Sequence, residues 1–238
     1  MLFYYIRHGD PIYNPDSLTP LGERQAEALA KRLAVYGLDK IYASTSNRAQ
    51  QTTQPTCELL KKEMTLLDFA SEMYAYNELS IIKENGRKCF LFEHPETKLL
   101  FTEDSIRTLG FEWYKHPAFK EYDFGYGINR IYDEMDKFFL SLGYEHIRYT
   151  GKYKPVAPTD ERVALFAHAG FGIAALSCLL DIPYPEFCLR FDLSHSGMTV
   201  IKFHEESGVV IPKVLTWSSD SHLYREGLPT RYNNTIEF

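Results

Sequence analysis

The chain opens with Met1-Leu2-Phe3-Tyr4-Tyr5-Ile6-Arg7-His8-Gly9, an apolar run that ends in a group of polar residues. Short apolar runs rich in aromatic or β-branched side chains are typical of buried strands. His8 has a ring nitrogen that can act as a nucleophile, and Arg7 has a planar fork of donors that fits phosphoryl oxygens. Gly9 allows the backbone to turn sharply beside a substrate. The stretch therefore predicts a buried strand that ends in a phosphate-handling group.

Two further segments resemble this first strand, and each is followed by a polar residue and a helical pattern. Residues 40–43 lead into Ser44, and residues 163–167 lead into His168. In open α/β sheets, ligands bind beyond the carboxyl ends of parallel strands. We therefore expect His8, Ser44 and His168 to face a single crevice.

Three helices and two C-terminal strands complete the predicted pattern. The first helix has Thr19 as its N-cap, followed by a proline at the first helical position. The second begins near Asn47 or Arg48 and contains Pro55, which should kink or restart it. The third follows the strand at 163–167 and is apolar almost all round, so it should pack against the sheet. Residues 198–203 and 209–217 are predicted as two strands that extend the sheet antiparallel at one edge.

Four motifs, taken in their order along the chain, resemble the histidine phosphatase superfamily, also called the phosphoglycerate mutase-like family. They are Arg7-His8-Gly9 with Asn14, then Leu18-Thr19-Pro20-Leu21-Gly22 with Gln25-Ala26, then residues 44–52, and finally Ala167-His168-Ala169-Gly170. Four motifs in this order are much harder to obtain by chance than any one of them. The expected fold class is α/β, a three-layer sandwich with a mostly parallel central sheet and helices on both faces.

The 238 residues fit a single domain, residues 1–238, with one insertion. Between about residues 73 and 155 the alternation of strands and helices is lost, and aromatic residues are frequent. One helix is indicated there by the amphipathic stripe from Ile128 to Leu142. We expect this segment to form an inserted aromatic-rich cap. Its aromatic side chains can form a small core of their own, or a lid that selects the substrate, and a lid needs a core as well.

Charge and apolar patterning exclude several classes of partner. The net charge is −6 without a long Lys/Arg cluster, which argues against a nucleic-acid or anionic-membrane surface. The first strand starts at residue 2, which leaves no room for a signal peptide, and no apolar run reaches the ~18 residues of a membrane span. We expect a cytoplasmic protein that acts on a small molecule, and the sequence does not indicate its oligomeric state.

Cysteine and histidine spacings do not indicate a metal. Cys57, Cys89, Cys178 and Cys188 show no Cys-x-x-Cys pair, which argues against a disulfide framework. The eight histidines lack His-x-x-x-His and His-Glu-x-x-His spacing, so a metal site would have to be assembled from distant positions. We predict no metal and no cofactor.

The resemblance implies that His8 attacks phosphorus and becomes a phosphohistidine. Nearby positive charge should keep His8 neutral, with its other ring nitrogen donating to a carbonyl close to Gly9. His195, in a loop that matches a family loop near the site, is as consistent with a substrate contact as with a structural role. The substrate's phosphoryl group is expected to be bound by four side chains: Arg7, Asn14, Arg48 and His168. His168 is expected to be a catalytic residue as well, together with His8.

An alkoxide is a poor leaving group, so a carboxylic acid should protonate it and, as a carboxylate, later activate water. In the family this acid follows the second arginine by about two dozen residues, at the start of the inserted segment. That position favours Glu72 as proton donor and leaves Glu78 as the alternative. In the commoner family pattern a Gly follows this acid, whereas residues 73–80 of this chain contain no Gly.

The resulting hypothesis is a metal-independent phosphatase that hydrolyses a small phosphomonoester. One alternative is a phosphoglycerate mutase-type phosphotransferase, although Glu72-Met73-Tyr74-Ala75-Tyr76 lacks the Arg and the Gly of the mutase stretch Glu-Arg-Tyr-Tyr-Gly. Another is a catalytically inactive interaction module on the same fold. The inactive module is disfavoured, because a site that had lost its activity should have lost at least one of its basic residues, which are Arg7, His8, Arg48 and His168.

Overall fold

A computed structural model describes residues 1–230. The helices are α1 (Pro20–Ala34), α2 (Asn47–Leu60), α3 (Glu72–Glu78), α4 (Pro95–Leu100), α5 (Asp104–Arg107), α6 (Phe124–Ser141), α7 (Ala169–Leu179), α8 (Tyr184–Cys188) and α9 (Ser221–Arg225). Short 3-10 helices span Asp68–Ala70, Leu91–Glu93, Gly110–Lys115 and Pro117–Phe119. Within this part of the chain, none of the helices combines the length and apolar character needed to cross a bilayer.

The strands are short. They are β1 (Leu2–Arg7), β2 (Pro11–Tyr13), β3 (Asp16–Leu18), β4 (Lys40–Ser44), β5 (Thr65–Leu67), β6 (Ser80–Ile82), β7 (Lys88–Phe90), β8 (Tyr144–Ile147), β9 (Lys152–Pro155), β10 (Arg162–Ala167), β11 (Met198–Lys202), β12 (Glu205–Glu206), β13 (Val209–Val210) and β14 (Lys213–Ser219).

The central sheet has the strand order β14-β11-β1-β10-β4-β5 over the described residues. Strands β1, β10, β4 and β5 pair in parallel, whereas β11 pairs antiparallel with both β1 and β14. Arg7 lies opposite Ala167 in the register of β1 and β10, and the next amide, that of His8, donates to the Ala167 carbonyl at 2.9 Å. The predicted mostly parallel α/β sheet is confirmed, and it brings the ends of β1 and β10 side by side.

The two faces of the sheet are covered by different helices because successive strand residues point to opposite sides. Phe3 and Tyr5 of β1 belong to a large buried cluster that contains side chains of α6 and α7. Tyr4 and Ile6 belong to a second cluster with side chains of α1 and α2. Residues 170–179 of α7 are buried on every side, as their apolar sequence predicts. The result is a three-layer arrangement of helix, sheet and helix.

The first two helices follow their sequence signals, with one exception. Helix α1 begins at Pro20, and Thr19 Oγ1 accepts a hydrogen bond from the Gly22 amide at 3.0 Å, as its N-cap role predicts. Helix α2 begins at Asn47 but continues through Pro55 to its end. Of the two predicted outcomes at Pro55, the restart is therefore wrong, because the helix tolerates the missing amide donor of one residue, and the kink stays a prediction.

The C-terminal segment forms two strands where the sequence predicts one over 209–217. Val209–Val210 pairs with β9 in a second sheet of order β12-β13-β9-β8, and only Lys213–Ser219 joins the central sheet. Pro212 lies between them, and proline has no amide to donate to a strand ladder. The chain therefore changes sheet at this residue. Strand β11 is antiparallel to β1, as predicted.

The aromatic residues of the predicted cap are largely part of the central core. Phe138 and Phe139 of α6 contact Phe3 of β1, with ring centroids 6.2 and 5.1 Å apart. Trp113 stacks on Tyr184 of α8, and both belong to the same buried cluster. Most of this segment is thus continuous with the sheet-facing core. Its description as a cap at about 73–155, and of 1–238 as one domain, stays a prediction.

Candidate active site

A crevice of about 690 Å³ opens at the carboxyl ends of the central parallel strands. His8 follows β1 and His168 follows β10, and the centroids of their rings are 5.1 Å apart. Ser44 ends the neighbouring strand β4. The three strand ends therefore converge as predicted, but of these three residues only His8 lines the crevice, whereas Ser44 and His168 are fully buried and are not among the described residues that line it. Arg7, His8, Arg48 and Glu72 line the crevice.

His8 is almost fully buried, and both of its ring nitrogens are oriented. Nδ1 lies 2.7 Å from the Gly9 carbonyl, which can only accept, so Nδ1 carries the proton. Nε2 then has its lone pair towards Arg48, whose Nε donates to it at 3.3 Å. Burial lowers the pKa of His8 well below 6.5, and the nearby His168, Arg7 and Arg48 lower it further. His8 is therefore a neutral imidazole whose Nε2 lone pair accepts from Arg48.

Arg48 connects the two histidines. Its Nη2 donates to His168 Nδ1 at 3.1 Å, so His168 must carry its proton on Nε2, which lies 2.8 Å from Ser44 Oγ. Its Nη1 forms an ion pair of 2.7 Å with Asp16. Burial lowers the pKa of His168 well below 6.5, with Arg48 and Arg7 contributing. Both imidazoles are thus neutral beside a permanent positive charge.

Arg7 is held by the loop that precedes β11. Its guanidinium donates to the Leu193 carbonyl and to His195 Nε2, the latter at 2.7 Å. The same loop is tied to the end of β1, because the Ser196 amide donates to the His8 carbonyl at 3.0 Å. His195 therefore contacts Arg7 directly, and its ring centroid is 5.6 Å from that of His8. The loop orients both N-terminal site residues.

Glu72 and Glu78 belong to one short helix, α3, but have different surroundings. The two carboxylate oxygens of Glu72 accept hydrogen bonds from the amides of Gly170 and Phe171, each at 2.8 Å, at the N-terminus of α7. Burial raises the pKa of Glu72, although these backbone amides and the nearby arginines oppose the shift. Both carboxylate oxygens of Glu78 instead accept hydrogen bonds from Arg130 Nε, at 2.9 and 2.8 Å. Only Glu72 is among the residues that line the crevice.

Asn14 is not brought into the crevice. It is exposed in the turn between β2 and β3, and it is absent from the described residues that line the cavity. The expected phosphate contact of Asn14 therefore has no support in this geometry. Its neighbours Tyr13 and Asp16 line the crevice instead.

Sequence reasoning missed Tyr13, Asp16 and Thr52. The Arg48 guanidinium lies over the Tyr13 ring, 5.4 Å from its centroid, and Thr52 Oγ1 accepts from the Gly9 amide at 2.9 Å. An acidic residue in the loop after Arg-His-Gly was the available signal for Asp16. Its pairing with Arg48, 32 residues later, is a tertiary contact that no local pattern indicates.

The crevice continues into a second lobe of about 580 Å³. Phe90 lies between the two lobes, stacked on Phe92 with centroids 5.1 Å apart. A Cβ added to Gly170 would lie 2.2 Å from the Phe90 ring, so only glycine at this position allows the ring to approach the start of α7. The aromatic wall thus stands next to the residues that bind Glu72.

Comparison with known proteins gives a family match and a fold match. Residues 3–77 match the model of the histidine phosphatase superfamily (branch 1). No curated protein matches the chain. Solved structures with a similar fold include "Mycobacterial hydrolase 1", with a TM-score of 0.61 at 18% identity, covering 92% of this chain and 98% of that one.

Two further solved structures are described as phosphatases. One is phosphoserine phosphatase from Entamoeba histolytica in complex with 3-phosphoglyceric acid, with a TM-score of 0.59, 19% identity, and coverage of 93% of this chain and 98% of that one. The other is mycobacterial glucosyl-3-phosphoglycerate phosphatase, with a TM-score of 0.60, 18% identity, and coverage of 92% and 99%. At these identities the likeness shows the fold alone.

The family match covers the part of the chain that carries Arg7, His8, Arg48 and Glu72. The fold likeness extends over 92% of the chain. Residues 3–77 of this chain thus resemble the histidine phosphatase superfamily in sequence, and the chain shares its fold with these solved structures.

Proposed function

We propose that this chain is a phosphatase that hydrolyses a small phosphomonoester through a phosphohistidine on His8. The observation that carries the proposal is the orientation of the His8 ring. The Gly9 carbonyl holds the proton on Nδ1, which leaves the Nε2 lone pair in a crevice lined by Arg7 and Arg48. A nitrogen nucleophile needs that lone pair, and burial among positive groups keeps it unprotonated.

The donors around His8 support a phosphoryl-binding role. Arg7, Arg48 and His168 surround the imidazole, and the two guanidinium groups are permanently charged. In the structure, N–H groups of Arg48 donate to the two imidazoles. We assign the same N–H groups to the phosphoryl oxygens when a substrate is bound. In phosphoryl transfer, most of the catalysis comes from positioning and from stabilising charge on the equatorial oxygens. The side chains of Arg7, Arg48 and His168 supply that stabilisation.

In the first step, His8 Nε2 forms a bond to phosphorus while the bond from phosphorus to the ester oxygen breaks. Glu72, as a carboxylic acid, donates its proton to the departing oxygen, so an alcohol leaves rather than an alkoxide. The raised pKa of Glu72 supports this role because it increases the fraction of the protonated form.

In the second step, the Glu72 carboxylate takes a proton from water, whose oxygen attacks the phosphohistidine. The nitrogen–phosphorus bond breaks, inorganic phosphate leaves, and Glu72 is protonated again. The phosphatases among the similar folds, which include an alpha-ribazole phosphatase from Shigella flexneri, support water as acceptor rather than a second hydroxyl. A cytoplasmic location and a small-molecule substrate remain part of the proposal.

The test uses p-nitrophenyl phosphate with the wild-type chain, His8→Ala, and His204→Ala as a control at an exposed histidine. We expect release of inorganic phosphate by the wild type and the control, and loss of turnover in His8→Ala. Rapid acid and base quenching should trap a phosphoryl adduct that is labile in acid and stable in base. Full turnover by His8→Ala, or the absence of such an adduct, would contradict the proposal.

The same assay with EDTA tests independence of metal, with the fold followed by circular dichroism in the same samples. We expect turnover to persist as long as the chain stays folded. Loss of activity without loss of structure would assign the chemistry to a metal instead.

A further inference from the structure

We infer that Asp136, His146 and Cys178 form a binding site for a transition-metal dication of the zinc type, outside the crevice. The three residues come from α6, β8 and α7, so the site is assembled from distant positions in the chain. One ligand atom from each residue lies within 4.8 Å of the other two. None of the three lines either lobe of the crevice.

The distances between these atoms suit a shared ion. His146 Nδ1 lies 2.7 Å from Asp136 Oδ1, and Cys178 Sγ lies 3.8 Å from the same oxygen. Bonds of about 2.0–2.3 Å from zinc to nitrogen, oxygen and sulfur place the ligand atoms of one tetrahedron roughly 3.3–3.8 Å apart. The distance between Cys178 and Asp136 matches this spacing, whereas the His146 and Asp136 atoms would move apart by about 0.6 Å to take an ion between them.

The surroundings hold the imidazole in the orientation that a ligand needs. His146 Nε2, the nitrogen that faces away from the proposed ion, lies 3.2 Å from Asp181 Oδ2. That carboxylate oxygen also accepts from the amides of Thr150 and Gly151, at 2.9 and 2.7 Å. The His146 ring is stacked on Tyr153, with centroids 4.3 Å apart. Histidine ligands typically donate their second N–H to a carboxylate, which fixes the ring and raises its basicity.

Asp136 is oriented in the same way. Its second oxygen, Oδ2, accepts from Arg148 Nε, which leaves Oδ1 facing His146 and Cys178. Arg148 also pairs with Asp133, so its charge is shared between two carboxylates. Arg148 thus contacts the Asp136 oxygen that does not face His146 and Cys178.

The charges of the cluster balance with a dication. Without metal, His146 donates to two carboxylates and therefore carries two protons, and the Cys178 thiol carries a third. Binding removes one proton from the imidazolium and one from the thiol and adds two positive charges. The net charge is unchanged, which matters because an uncompensated charge is costly in a buried site.

The ligand chemistry selects the class of ion. Thiolate and imidazole are ligands of zinc, cobalt and related ions, whereas magnesium and calcium prefer sites made of oxygen alone. Three protein ligands also leave a tetrahedral position for water. The Asp136 side chain is 24% exposed, so this position can open towards solvent.

The test titrates the metal-free, full-length chain with Co²⁺, a spectroscopic substitute for zinc. We expect a near-ultraviolet thiolate-to-cobalt absorption that saturates at a single ion per chain and that Zn²⁺ displaces. Cys178→Ser should lose this absorption. The matched control, Cys188→Ser, should keep it, because Cys188 lines the crevice and not this cluster. The histidines of the crevice can bind cobalt as well, but without the thiolate band.

Asp181→Asn tests the site without removing a ligand. We expect metal affinity to fall about 10–100-fold, as for other carboxylates that support a ligand histidine, while the chain stays folded by circular dichroism. Each of three results would overturn the inference: no thiolate band in the wild type, a band that survives Cys178→Ser, or unchanged affinity in Asp181→Asn. The cluster would then be a hydrogen-bonded network without a metal. None of these readouts depends on phosphatase activity.

Discussion

At the scale of single residues, burial shifts the pKa values of His8 and Glu72, the two groups that the proposed chemistry needs. The same low-dielectric crevice lowers the pKa of His8 and raises the pKa of Glu72, because burial disfavours a charge of either sign. Both groups are therefore driven towards their neutral forms. The proposed chemistry uses a neutral imidazole as nucleophile and a neutral carboxylic acid as proton donor, so one environment prepares both.

The first prediction is a pH dependence of kcat/KM with an acidic optimum. His8 becomes protonated only well below its ordinary pKa of 6.5, so the acidic limb should lie far below neutral pH. Activity should then fall as rising pH removes the Glu72 proton, above its ordinary pKa of 4.5. The profile should be measured with an alkyl phosphomonoester such as glycerol phosphate. A rate that rises steadily through neutral pH would contradict these assignments.

The second prediction separates the two acids of α3. Glu72→Gln should lower kcat/KM for an alkyl phosphomonoester by ~10²–10⁴-fold, and less for p-nitrophenyl phosphate, whose leaving group needs no proton. Glu78→Gln is the matched control, because it changes the same functional group in the same helix outside the crevice. It should weaken the pair with Arg130 and leave the chemistry in place. Equal losses in the two variants would refute the assignment of Glu72.

At the scale of elements, the first turn of α1 is packed against the backbone that carries His8. A Cβ added to Gly22 would lie 2.2 Å from the Asp10 carbonyl oxygen, and one added to Gly9 would lie 2.7 Å from the Gly22 carbonyl oxygen. These are backbone-to-backbone approaches, so no side chain can move aside to relieve them. The Asp10 amide also donates to Gln25 Oε1 at 2.8 Å. Helix and loop are thus held as one unit.

The third prediction follows from this close approach. Gly22→Ala should lower the free energy of unfolding by about 1–3 kcal/mol, the usual cost of overpacking, and should reduce kcat by displacing the loop. Arg24→Ala, an exposed change in the same helical turn, should alter stability by less than about 0.5 kcal/mol. Urea unfolding and steady-state kinetics measure both effects. Wild-type stability in Gly22→Ala would mean that the loop yields without cost.

At the scale of the whole molecule, buried neutral histidines couple stability to pH. His222 of α9 has its Nε2 2.9 Å from Ser196 Oγ, in the loop that holds Arg7 and His8. Burial lowers the pKa of His222 from 6.5 to about 4. The unfolded chain then binds this proton more readily than the folded chain does, so stability is complete above pH 6.5 and decreases as pH falls towards 4.

The fourth prediction compares the pH dependence of unfolding in the wild type and His222→Gln. Acidification from pH 7 to pH 4 should cost the wild type about 3 kcal/mol through His222 alone, in addition to contributions from His8 and His168. His222→Gln should lack this share and show a shallower slope. His204→Gln, at an exposed histidine, should keep the wild-type slope. Identical slopes in all three proteins would show that His222 is protonated without cost in the folded chain.

Local signals in the sequence determined the strand that ends at Arg7, the Thr19 cap and the alternation that builds the parallel sheet. Each of these depends on neighbouring residues or on a short hydrophobic period, so the sequence alone predicts it. The placement of His8, Ser44 and His168 at one edge followed from the topology of parallel strands. The orientation of His8 towards the Gly9 carbonyl was predicted as well, because the acceptor is the next residue in the chain.

Only the tertiary structure separates Glu72, which lines the crevice, from Glu78, which does not. The two acids lie in one short helix with similar neighbours, and what separates them is the Gly170 amide beside one and Arg130 beside the other. The same holds for the solvent-exposed position of Asn14 and for the cluster of Asp136, His146 and Cys178. Partners that lie many residues away leave no trace in local composition or period, because packing brings them together only after the elements have formed.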